Sequence, residues 1–397
     1  MKVLVTGAKG FIGKNLCESL KNIRDQKDRN PRYVSLLPLT IYEYDRDTGI
    51  DQLEEYCREA DFVFNLAGIN RPDDEKEFME GNADFADELL TILEKQNNKC
   101  PVMLASSIQA SLEGRFANSA YGKSKLAGEN ILREYSKRTG APVLIYRFPN
   151  VYGKWCRPNY NSVIATFCYN IANNLPIEVH NRDTKLELVY IDDLVTSLIS
   201  DSLRVHTLCQ DDAFFHVGPI DVVSLGEVAD ALYQFKQCRD TLDIPQLRDG
   251  SFLKKLYSTY QSYLNPSDLS YELLTKKDER GSFTELLRTS DRGQISLNIT
   301  APGQTKGNHW HHTKWEKFIV VSGHAIVEQR QVGLDFEGNS YPVVRYNLSA
   351  DNPTVIETPP GFTHNLINPS KDEDLVTIIW CNEIFDPDNP DTYYEKV

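Results

Sequence analysis

The chain has 397 residues, of which 41% are apolar and 25% charged, and a formal net charge of −14. This length exceeds the roughly 250–300 residues at which a single core usually stops growing, so we expect more than one domain. So acidic a surface repels phosphate backbones and anionic lipid headgroups, which argues against nucleic-acid partners. No apolar run is long enough to span a bilayer, which argues against membrane insertion.

Cysteine usage and the first residues indicate the compartment. The eight cysteines are scattered without CxxC spacing, as in proteins whose thiols stay reduced. The chain enters a strand-like run at residue 2, which leaves no room for a signal peptide. We therefore expect a cytoplasmic protein.

The first half of the sequence alternates strand-like runs with helical patterns. Lys2–Thr6 is a β-branched run, and an amphipathic pattern follows over residues 10–22. Further strand-like runs cover residues 41–46, 61–66, 101–106 and 143–147, and helical apolar spacing covers residues 84–95 and 124–137. Strands that alternate with helices predict βαβ units and a doubly wound parallel sheet of the Rossmann type.

A glycine-rich turn joins the first strand to the first helix with GxxGxxG spacing. Glycine permits the tight turn and the close approach of a pyrophosphate, whose charge is met by the helix N-terminus. The candidate cofactor-binding residues of this turn are Gly7, Lys9, Gly10, Phe11, Ile12 and Gly13.

The second predicted strand ends in Asp45 and Arg46, which favour different cofactors. An acidic residue there favours the free ribose hydroxyl of NAD, whereas arginine suits the 2′-phosphate of NADP. Arg46 together with Lys9 favours NADP(H), and NAD stays possible. The alternative is that Asp45 and Arg46 form a solvated turn.

Tyr121 and Lys125 are four residues apart at the start of a helical pattern, so both side chains lie on one helix face. The ammonium is expected to favour phenolate and to lower the pKa of Tyr121 towards that of a useful proton donor. Ser107 ends a predicted strand and would hold a substrate carbonyl. We predict Ser107, Tyr121 and Lys125 as the catalytic residues.

Residues 1–240 resemble the extended short-chain dehydrogenase/reductase family. The resemblance rests on the three glycines, residues 65–68, Ser107 with its neighbour, Tyr121 with Lys125, and residues 147–153 and 190–193. It implies a nucleotide-activated sugar as substrate, hydride transfer from the nicotinamide and proton transfer by the Ser/Tyr/Lys set. It also implies a cofactor contact at Leu66 and Ala67 and a sugar-nucleotide site that contains Asn150, Arg157, Asn159 and Arg182. Arg182 would pair with the diphosphate, and a surface ion pair is the alternative.

The pattern changes after residue 271. Short strand-like runs at 294–299, 318–321, 325–330, 354–357 and 375–380 predict an all-β barrel or sandwich. The join lies at 235–271 and contains a predicted helix over 252–263. We therefore assign residues 1–250 to the dinucleotide-binding domain, 251–274 to a linker with a helix, and 275–397 to the β domain.

The β domain contains a candidate metal site. Five of the eight histidines fall between positions 309 and 364. His309 and His311, two apart on a predicted strand, share a face, while Glu316 follows a turn and His364 comes from another strand. Three imidazoles and one carboxylate suit a divalent metal, zinc first, with an open position for water or substrate. The alternative is a polar barrel mouth that binds a sugar without metal.

This spacing resembles the two motifs of the cupin family, although Pro353 replaces the leading glycine of the second motif. The resemblance implies an all-β jelly roll with His309, His311, Glu316 and His364 as ligands. Residues 278–285 also resemble the opening of nucleotide-sugar 3-epimerase cupins. Candidate proton carriers are Lys306, His312 and Lys314, and a solvated rim is the alternative for the two lysines.

Nearly the whole chain resembles a family of bifunctional capsular polysaccharide enzymes, in which the reductase is fused to a metal-binding cupin. The stretches 154–169 and 385–393 carry this resemblance. It implies a homodimer in the UDP-N-acetyl-L-fucosamine route. The cupin would epimerise C3 of UDP-2-acetamido-2,6-dideoxy-4-hexulose, and NADPH-dependent reduction at C4 would then give a UDP-6-deoxy-L-talosamine-type product.

Two other functions stay open at this point. The chain could be a nucleotide-sugar 4-reductase or 4-epimerase whose cupin only dimerises or stabilises it. It could also be a non-catalytic protein that senses a sugar and the nucleotide redox state. The intact pair of Tyr121 and Lys125 argues against the sensor, because a sensor needs no proton donor.

Overall fold

The computed structural model describes residues 1–72, 74–204 and 214–397, so the predicted thiol Cys209 lies outside the described residues. The chain forms two compact units. The first contains Met1–Tyr233 and Asp249–Asn265, and the second contains Gln234–Arg248 and Pro266–Val397. Residues 234–248, which the sequence analysis assigned to the first domain, belong to the second unit, and the helix Phe252–Gln261, assigned to the linker, belongs to the first.

The first unit alternates strands and helices. The elements of its chain, in order, are β1 (Lys2–Thr6), α1 (Phe11–Arg24), a 3₁₀ helix (Pro31–Leu36), β2 (Thr40–Tyr44), α2 (Ile50–Glu59), β3 (Phe62–Asn65), α3 (Lys76–Met79), a π turn (Glu80–Asp84), α4 (Phe85–Lys95), β4 (Val102–Ser107), 3₁₀ helices (Ile108–Ser111 and Gly114–Phe116), α5 (Ala120–Thr139), β5 (Val143–Phe148), β6 (Asn150–Tyr152), α6 (Val163–Ala172), β7 (Lys185–Tyr190), α7 (Ile191–Ser202), β8 (Ile220–Ser224), α8 (Leu225–Thr241, which ends in the second unit) and α9 (Phe252–Gln261).

Five of these strands form a parallel sheet in the order β2-β1-β3-β4-β5. Its two faces bury different helices because successive strand residues point in opposite directions. Val3 and Val5 belong to the core that includes α1 and α7, whereas Leu4 belongs to the core that includes α2, α4 and α5. The predicted doubly wound Rossmann-type sheet is confirmed. A smaller sheet has the order β6-β7-β8.

The second unit is built from antiparallel strands. Its elements after α8 are a 3₁₀ helix (Pro266–Leu269), β9 (Thr275–Asp278), β10 (Gly281–Thr289), β11 (Gly293–Thr300), β12 (Thr305–Trp310), β13 (Glu316–Ser322), β14 (His324–Gln331), β15 (Val344–Ser349), β16 (Val355–Thr358), β17 (Phe362–Ile367), β18 (Leu375–Cys381) and β19 (Tyr393–Tyr394).

These strands form one sheet in the order β16-β13-β18-β11-β10-β9 and another in the order β15-β14-β17-β12-β19. Apolar side chains of both sheets meet in a common core, for example Phe318 and Leu375 from the first and Val327 and Leu366 from the second. The predicted all-β cupin fold is therefore confirmed. In the described parts of the chain no helix is both long and apolar enough to cross a membrane.

Candidate active site and metal centre

The turn between β1 and α1 can be made only with glycine at two positions. Gly7 has a φ of +65°, and a Cβ atom there would lie 2.8 Å from the backbone nitrogen of Ala67. A Cβ atom on Gly13 would lie 2.1 Å from the carbonyl oxygen of Gly7. Gly10 caps α1, no described side chain accepts from the cap, and the first turn has no acidic residue. The helix N-terminus therefore suits a pyrophosphate.

A cavity of about 610 Å³ opens beside this turn. Its lining residues follow or end β1, β3, β4 and β5, so the cavity lies at the carboxyl edge of the parallel sheet, where such sheets bind ligands. The predicted site residues that line it are Gly7, Lys9, Gly10, Phe11, Ile12, Gly13, Leu66, Ser107, Tyr121, Lys125, Asn150 and Arg157. Ala67 lies directly behind Gly7.

Ser107, Tyr121 and Lys125 come together in this cavity. The ammonium of Lys125 is 5.7 Å from the centre of the Tyr121 ring and donates to the carbonyl oxygen of Ala105 at 3.1 Å. Burial lowers the pKa of Lys125 to about 8.

The predicted lowering of the Tyr121 pKa is not found. Burial raises the pKa of Tyr121 to about 12, and a hydrogen bond with Ser107 acts in the opposite direction without cancelling it. Helical spacing predicted the neighbourhood of the two side chains correctly. The same burial that disfavours the phenolate also disfavours the ammonium that would have stabilised it.

A buried polar network under the cavity was missed in the sequence. Glu129, 1% exposed, accepts from the Ser106 hydroxyl at 2.5 Å and forms two hydrogen bonds with Arg147 at 2.9 and 2.7 Å. These bonds tie α5 to β4 and β5 beside Ser107. One signal was available, because Glu129 follows Lys125 by one helical turn and so lies on the same face of α5.

The residues predicted to contact the adenosine ribose, Lys9, Asp45 and Arg46, differ in their contacts and in whether they line the cavity. The backbone N–H of Lys9 donates to the Asp45 carboxylate at 2.8 Å, and the Lys9 ammonium contacts Asp47. Arg46 is exposed, and only its backbone N–H is bonded to Asp45, at 2.9 Å. Of the two cations that favoured NADP, Lys9 lines the described cavity and Arg46 does not.

Only two of the four residues predicted to contact the sugar nucleotide line the described cavity. The Arg157 guanidinium lies 5.3 Å from the centre of the Tyr160 ring, and both residues line the cavity together with Asn150. Arg182 instead forms an exposed ion pair with Asp230 at 2.6 Å, as the surface alternative has it, and is outside the described cavity lining. Asn159, at a φ of +55°, donates its N–H to Thr166 at 3.0 Å and is outside the described cavity lining.

In the second unit, β12, β13, β17 and the loop after β12 bring together the predicted metal ligands. His309, His311, Glu316 and His364 each offer one ligand atom, and these atoms lie within 4.8 Å of one another. The Glu316 carboxylate is 3.2 Å from Nε2 of His364 and 3.8 Å from Nε2 of His311. The prediction that both histidines of the HxH motif lie on one strand is wrong, since β12 ends at Trp310 and its pairing with β17 shifts between Gly307 and His309.

The chemistry of the four side chains fits a divalent metal. Nε2 of His311 and Nε2 of His364 are buried and have no hydrogen-bond partner among the described residues. Burial and the neighbouring His364 lower the pKa of His309 to about 4, so this imidazole is neutral at pH 7. Burial opposes the charge of Glu316, but His311 and His364 hold its pKa well below the usual range. A neutral His309 and an ionised Glu316 are in the forms that bind Zn²⁺. Burial opposes the charge of His311, but its contacts with Glu316 and with the carbonyl oxygen of Asp391 raise its pKa.

A cavity of about 350 Å³ in the β domain is lined by three of these residues, His309, Glu316 and His364, and by Lys306. The Lys306 ammonium donates to Ser282, Asn298 and Ile299 at 2.8–3.1 Å, and burial lowers the pKa of Lys306. The other two candidate proton carriers are outside the described lining. His312 is exposed, and the Lys314 ammonium contacts the carbonyl oxygen of Pro390.

Asp391 is a further residue of this centre, and the sequence assigned it no role. Its carbonyl oxygen lies 2.5 Å from Nδ1 of His311. Burial would raise the pKa of the Asp391 carboxyl, but backbone N–H groups of Thr313, His312 and Lys314 hold it well below the usual range. Asp391 lies in the stretch 385–393, which carries the resemblance to the capsular polysaccharide enzymes. That resemblance was the signal in the sequence, but it gave Asp391 no role.

Comparison with known proteins gives two family models along the chain. Residues 3–200 match the NAD dependent epimerase/dehydratase family, and residues 276–393 match the polysaccharide biosynthesis C-terminal domain. A UDP-2-acetamido-2,6-beta-L-arabino-hexul-4-ose reductase from Pseudomonas aeruginosa is 39% identical over 393 residues, which cover 99% of this chain and 98% of the relative.

Among solved structures, the capsular polysaccharide assembling protein CapF from Staphylococcus aureus is 45% identical with a TM-score of 0.86, and each chain covers 100% of the other. A UDP-glucuronic acid 4-epimerase from Bacillus cereus is 19% identical with a TM-score of 0.52 over 66% of this chain and 96% of the epimerase. This second likeness concerns the fold alone.

Proposed function

Because this chain belongs to the family that contains CapF, we propose that it is a bifunctional enzyme acting on UDP-2-acetamido-2,6-dideoxy-4-hexulose. The β domain, 275–397, would epimerise C3, and the dinucleotide-binding domain, 1–250, would then reduce C4 with NADPH. The epimerase/dehydratase family implies a nicotinamide cofactor, and the reductase from Pseudomonas aeruginosa is named for a UDP-linked 4-keto sugar of this kind. The product would be a UDP-6-deoxy-L-talosamine-type sugar in the route to UDP-N-acetyl-L-fucosamine.

The observation that carries this proposal is the presence of two separate buried reactive centres in one chain. One cavity contains a hydroxyl, a phenol and a lysine beside a glycine turn that suits a pyrophosphate. The other cavity contains a cluster of imidazoles and a carboxylate with unpaired buried nitrogens. A simple reductase needs the first centre alone.

In the reductase domain, Ser107 would hold the C4 carbonyl oxygen and Tyr121 would donate a proton to it. Lys125, one turn along α5, would hold the cofactor ribose and stabilise the phenolate that remains. When bound, the nicotinamide supplies the hydride that adds to C4. The ketone therefore gains one hydride and one proton and becomes an alcohol.

In the β domain, His309, His311, Glu316 and His364 would hold a divalent ion, which we propose to be zinc. Such an ion supplies an electrophile that stabilises charge on a carbonyl oxygen. Lys306 is the one of the three predicted proton carriers that lines this cavity, and we assign it the C3 proton. Burial lowers its pKa, which makes the ammonium a better proton donor than an exposed lysine.

Carbonyl chemistry sets the order of the two steps. The 4-keto group acidifies the neighbouring C3 hydrogen, and reduction at C4 removes this acidifying group. Epimerisation at C3 must therefore precede the reduction. The two activities give a single product only if they act in this order.

The test is to incubate the full-length protein with the UDP-4-hexulose in D₂O without nicotinamide and to follow C3 by NMR. We expect deuterium at C3 in the wild type and in Tyr121→Phe, and its loss in His309→Ala. NADPH oxidation should show a different pattern, with loss in Tyr121→Phe. His324→Ala is a matched histidine control, because His324 is exposed and lies outside the metal-type cluster.

Two results would overturn the proposal. Intact NADPH-driven reduction without C3 exchange would leave a reductase whose β domain stabilises or dimerises the chain. Absence of both activities with 4-keto sugars would favour the sensor instead. Use of NADPH rather than NADH, the homodimer and the cytoplasmic location stay predictions, to be tested by cofactor kinetics, light scattering and fractionation.

A further inference from the structure

The last residues of the chain run along the strand that carries His309. We call residues 386–397 the C-terminal strap. Within it, β19 pairs antiparallel with β12, so that Tyr394 lies opposite His309. Beyond β19, the N–H of Glu395 donates to the carbonyl oxygen of Asn308 at 3.0 Å, and Glu395 forms an ion pair with Arg330 at 2.8 Å. The strap is therefore tied to β12, the strand that carries His309, and to Arg330 of β14.

Where the strap reaches His311, it meets the side of the ring opposite the cluster. Nδ1 of His311 lies 2.5 Å from the carbonyl oxygen of Asp391, and a carbonyl can only accept. In the neutral form that a metal ion would bind, the proton must therefore be on Nδ1, which leaves the lone pair on Nε2. Nε2 is the buried atom without a hydrogen-bond partner in the described chain, 3.8 Å from Glu316.

The position of this carbonyl is fixed by the side chain of the same residue. The Asp391 carboxylate accepts from the backbone N–H groups of His312, Thr313 and Lys314 at 2.9, 2.9 and 3.1 Å. It also accepts from the Thr313 hydroxyl at 3.0 Å. These groups belong to the loop between β12 and β13, which joins His311 to Glu316. One carboxylate thus binds the loop that separates two of the ligands.

The backbone conformation of Asp391 indicates that neighbouring groups hold its carbonyl oxygen against His311. Its φ of +38° is in the left-handed region that a non-glycine residue rarely adopts. Such a conformation persists when neighbouring interactions compensate for it. Four hydrogen bonds to the carboxylate and one to the carbonyl oxygen supply that compensation.

We propose that Asp391 is a positioning residue of the metal centre, which sets the tautomer and the orientation of His311 so that Nε2 faces the ion. The inference rests on the proposed function, because it requires that the four-residue cluster binds a divalent metal. Asp391 itself is not a ligand, since its carboxylate is occupied by the loop. Groups that orient a metal-binding imidazole in this way typically contribute about 10–100-fold to metal affinity.

The experiment compares zinc affinity among full-length variants by competition with a chromophoric chelator. We expect Asp391→Ala to weaken zinc binding about 10–100-fold. Asp391→Asn keeps one acceptor oxygen at nearly the same size and should lose less. Asp388→Ala is the matched control, because Asp388 is an exposed carboxylate of the same strap. Its zinc affinity should equal that of the wild type.

A spectroscopic readout separates positioning from general loosening of the strap. The visible absorption of the Co²⁺-loaded protein reports ligand geometry, so the bands should change in Asp391→Ala and stay unchanged in Asp388→Ala. Saturating zinc should restore C3 exchange in Asp391→Ala and not in His311→Ala. Failure of this restoration in a folded Asp391→Ala protein would contradict a pure positioning role.

The possible failures can be told apart. If the wild type binds neither Zn²⁺ nor Co²⁺, the metal assignment of the proposed function is wrong and this inference falls with it. If Asp391→Asn and Asp391→Ala both bind zinc as tightly as the wild type does, this inference alone is wrong. Should Asp391→Ala fail to fold by circular dichroism, the affinity and Co²⁺ spectrum of Asp391→Asn decide.

Discussion

The reductase cavity and the metal centre treat buried charge in opposite ways. Lys125 is 6% exposed, and burial is the cause of its pKa shift, without an ion pair to any carboxylate in the described chain. Glu316 is half-buried, and His311 and His364 lie beside its carboxylate at 3.8 and 3.2 Å. Burial therefore disfavours the positive charge of Lys125 in the first site, whereas the two histidines stabilise the negative charge of Glu316 in the second.

This difference indicates how each site is completed. In the reductase cavity the missing negative charge would come with the ligands, as the phosphates of a dinucleotide and the oxygen that becomes an alkoxide. In the candidate metal centre, the Nε2 atoms of His311 and His364 face the Glu316 carboxylate at 3.8 and 3.2 Å, an arrangement that suits a divalent ion. Each cavity is thus incomplete without a partner of opposite sign.

The largest effect that would sharpen this comparison is expected for Lys125→Met. Methionine keeps the length of the side chain and removes the ammonium, so kcat/KM for C4 reduction should fall about 10²–10⁴-fold. C3 exchange should be unaffected, because the β domain has its own cluster. Lys123→Met, an exposed neighbour on α5, is the control and should reduce normally. An equal loss of both activities would show that the sites are not independent.

Glu316→Gln is the corresponding change in the metal centre. Loss of the carboxylate charge should weaken zinc binding about 100-fold, since even residues that only orient a ligand contribute 10–100-fold. Affinity for NADPH, measured by fluorescence titration, should stay within twofold of wild type. Glu357→Gln is a suitable control, because Glu357 is an exposed carboxylate paired with Lys317. Unchanged zinc affinity would break the assignment of Glu316 as a ligand.

The pH profiles of the two activities should differ. Burial lowers the pKa of Lys125 to about 8, so its ammonium is charged below this pH and neutral above it. If the charged form acts, kcat/KM for reduction is constant below about pH 8 and falls about tenfold per unit above it. The reduction profile of Lys125→Arg, measured by NADPH oxidation, should lack this decrease. The same decrease in Lys125→Arg would contradict the role of Lys125.

The smallest effect concerns the two arginines that the sequence placed together at the sugar nucleotide. Arg157→Ala should raise KM for the UDP-sugar about tenfold, the size of one charge-assisted hydrogen bond. Arg182→Ala should change it less than about twofold, because exposed ion pairs contribute little. Steady-state kinetics of the two variants decide, and a larger effect of Arg182→Ala would restore its predicted diphosphate contact.

Features that depend on local spacing were predictable. Strands β1, β3, β4 and β5 and helices α1 and α5 lie within a few residues of the predicted runs. The pairing of Tyr121 with Lys125 follows from 3.6 residues per turn. In contrast β10 and β15 were not predicted. The strand predicted at His309, β12, is half-buried throughout without alternation and contains Gly307 at a φ of +97°.

The sequence by itself determined the two kinds of domain, the glycine turn, the Tyr121/Lys125 pair and the four side chains of the candidate metal site, because each depends on residue type and short-range spacing. Only the tertiary structure decided that Arg157 and not Arg182 lines the cavity, that Asp391 holds His311, and that burial raises the pKa of Tyr121. These depend on strand register, on contacts between residues far apart in the chain and on the exclusion of water, none of which is encoded in local spacing.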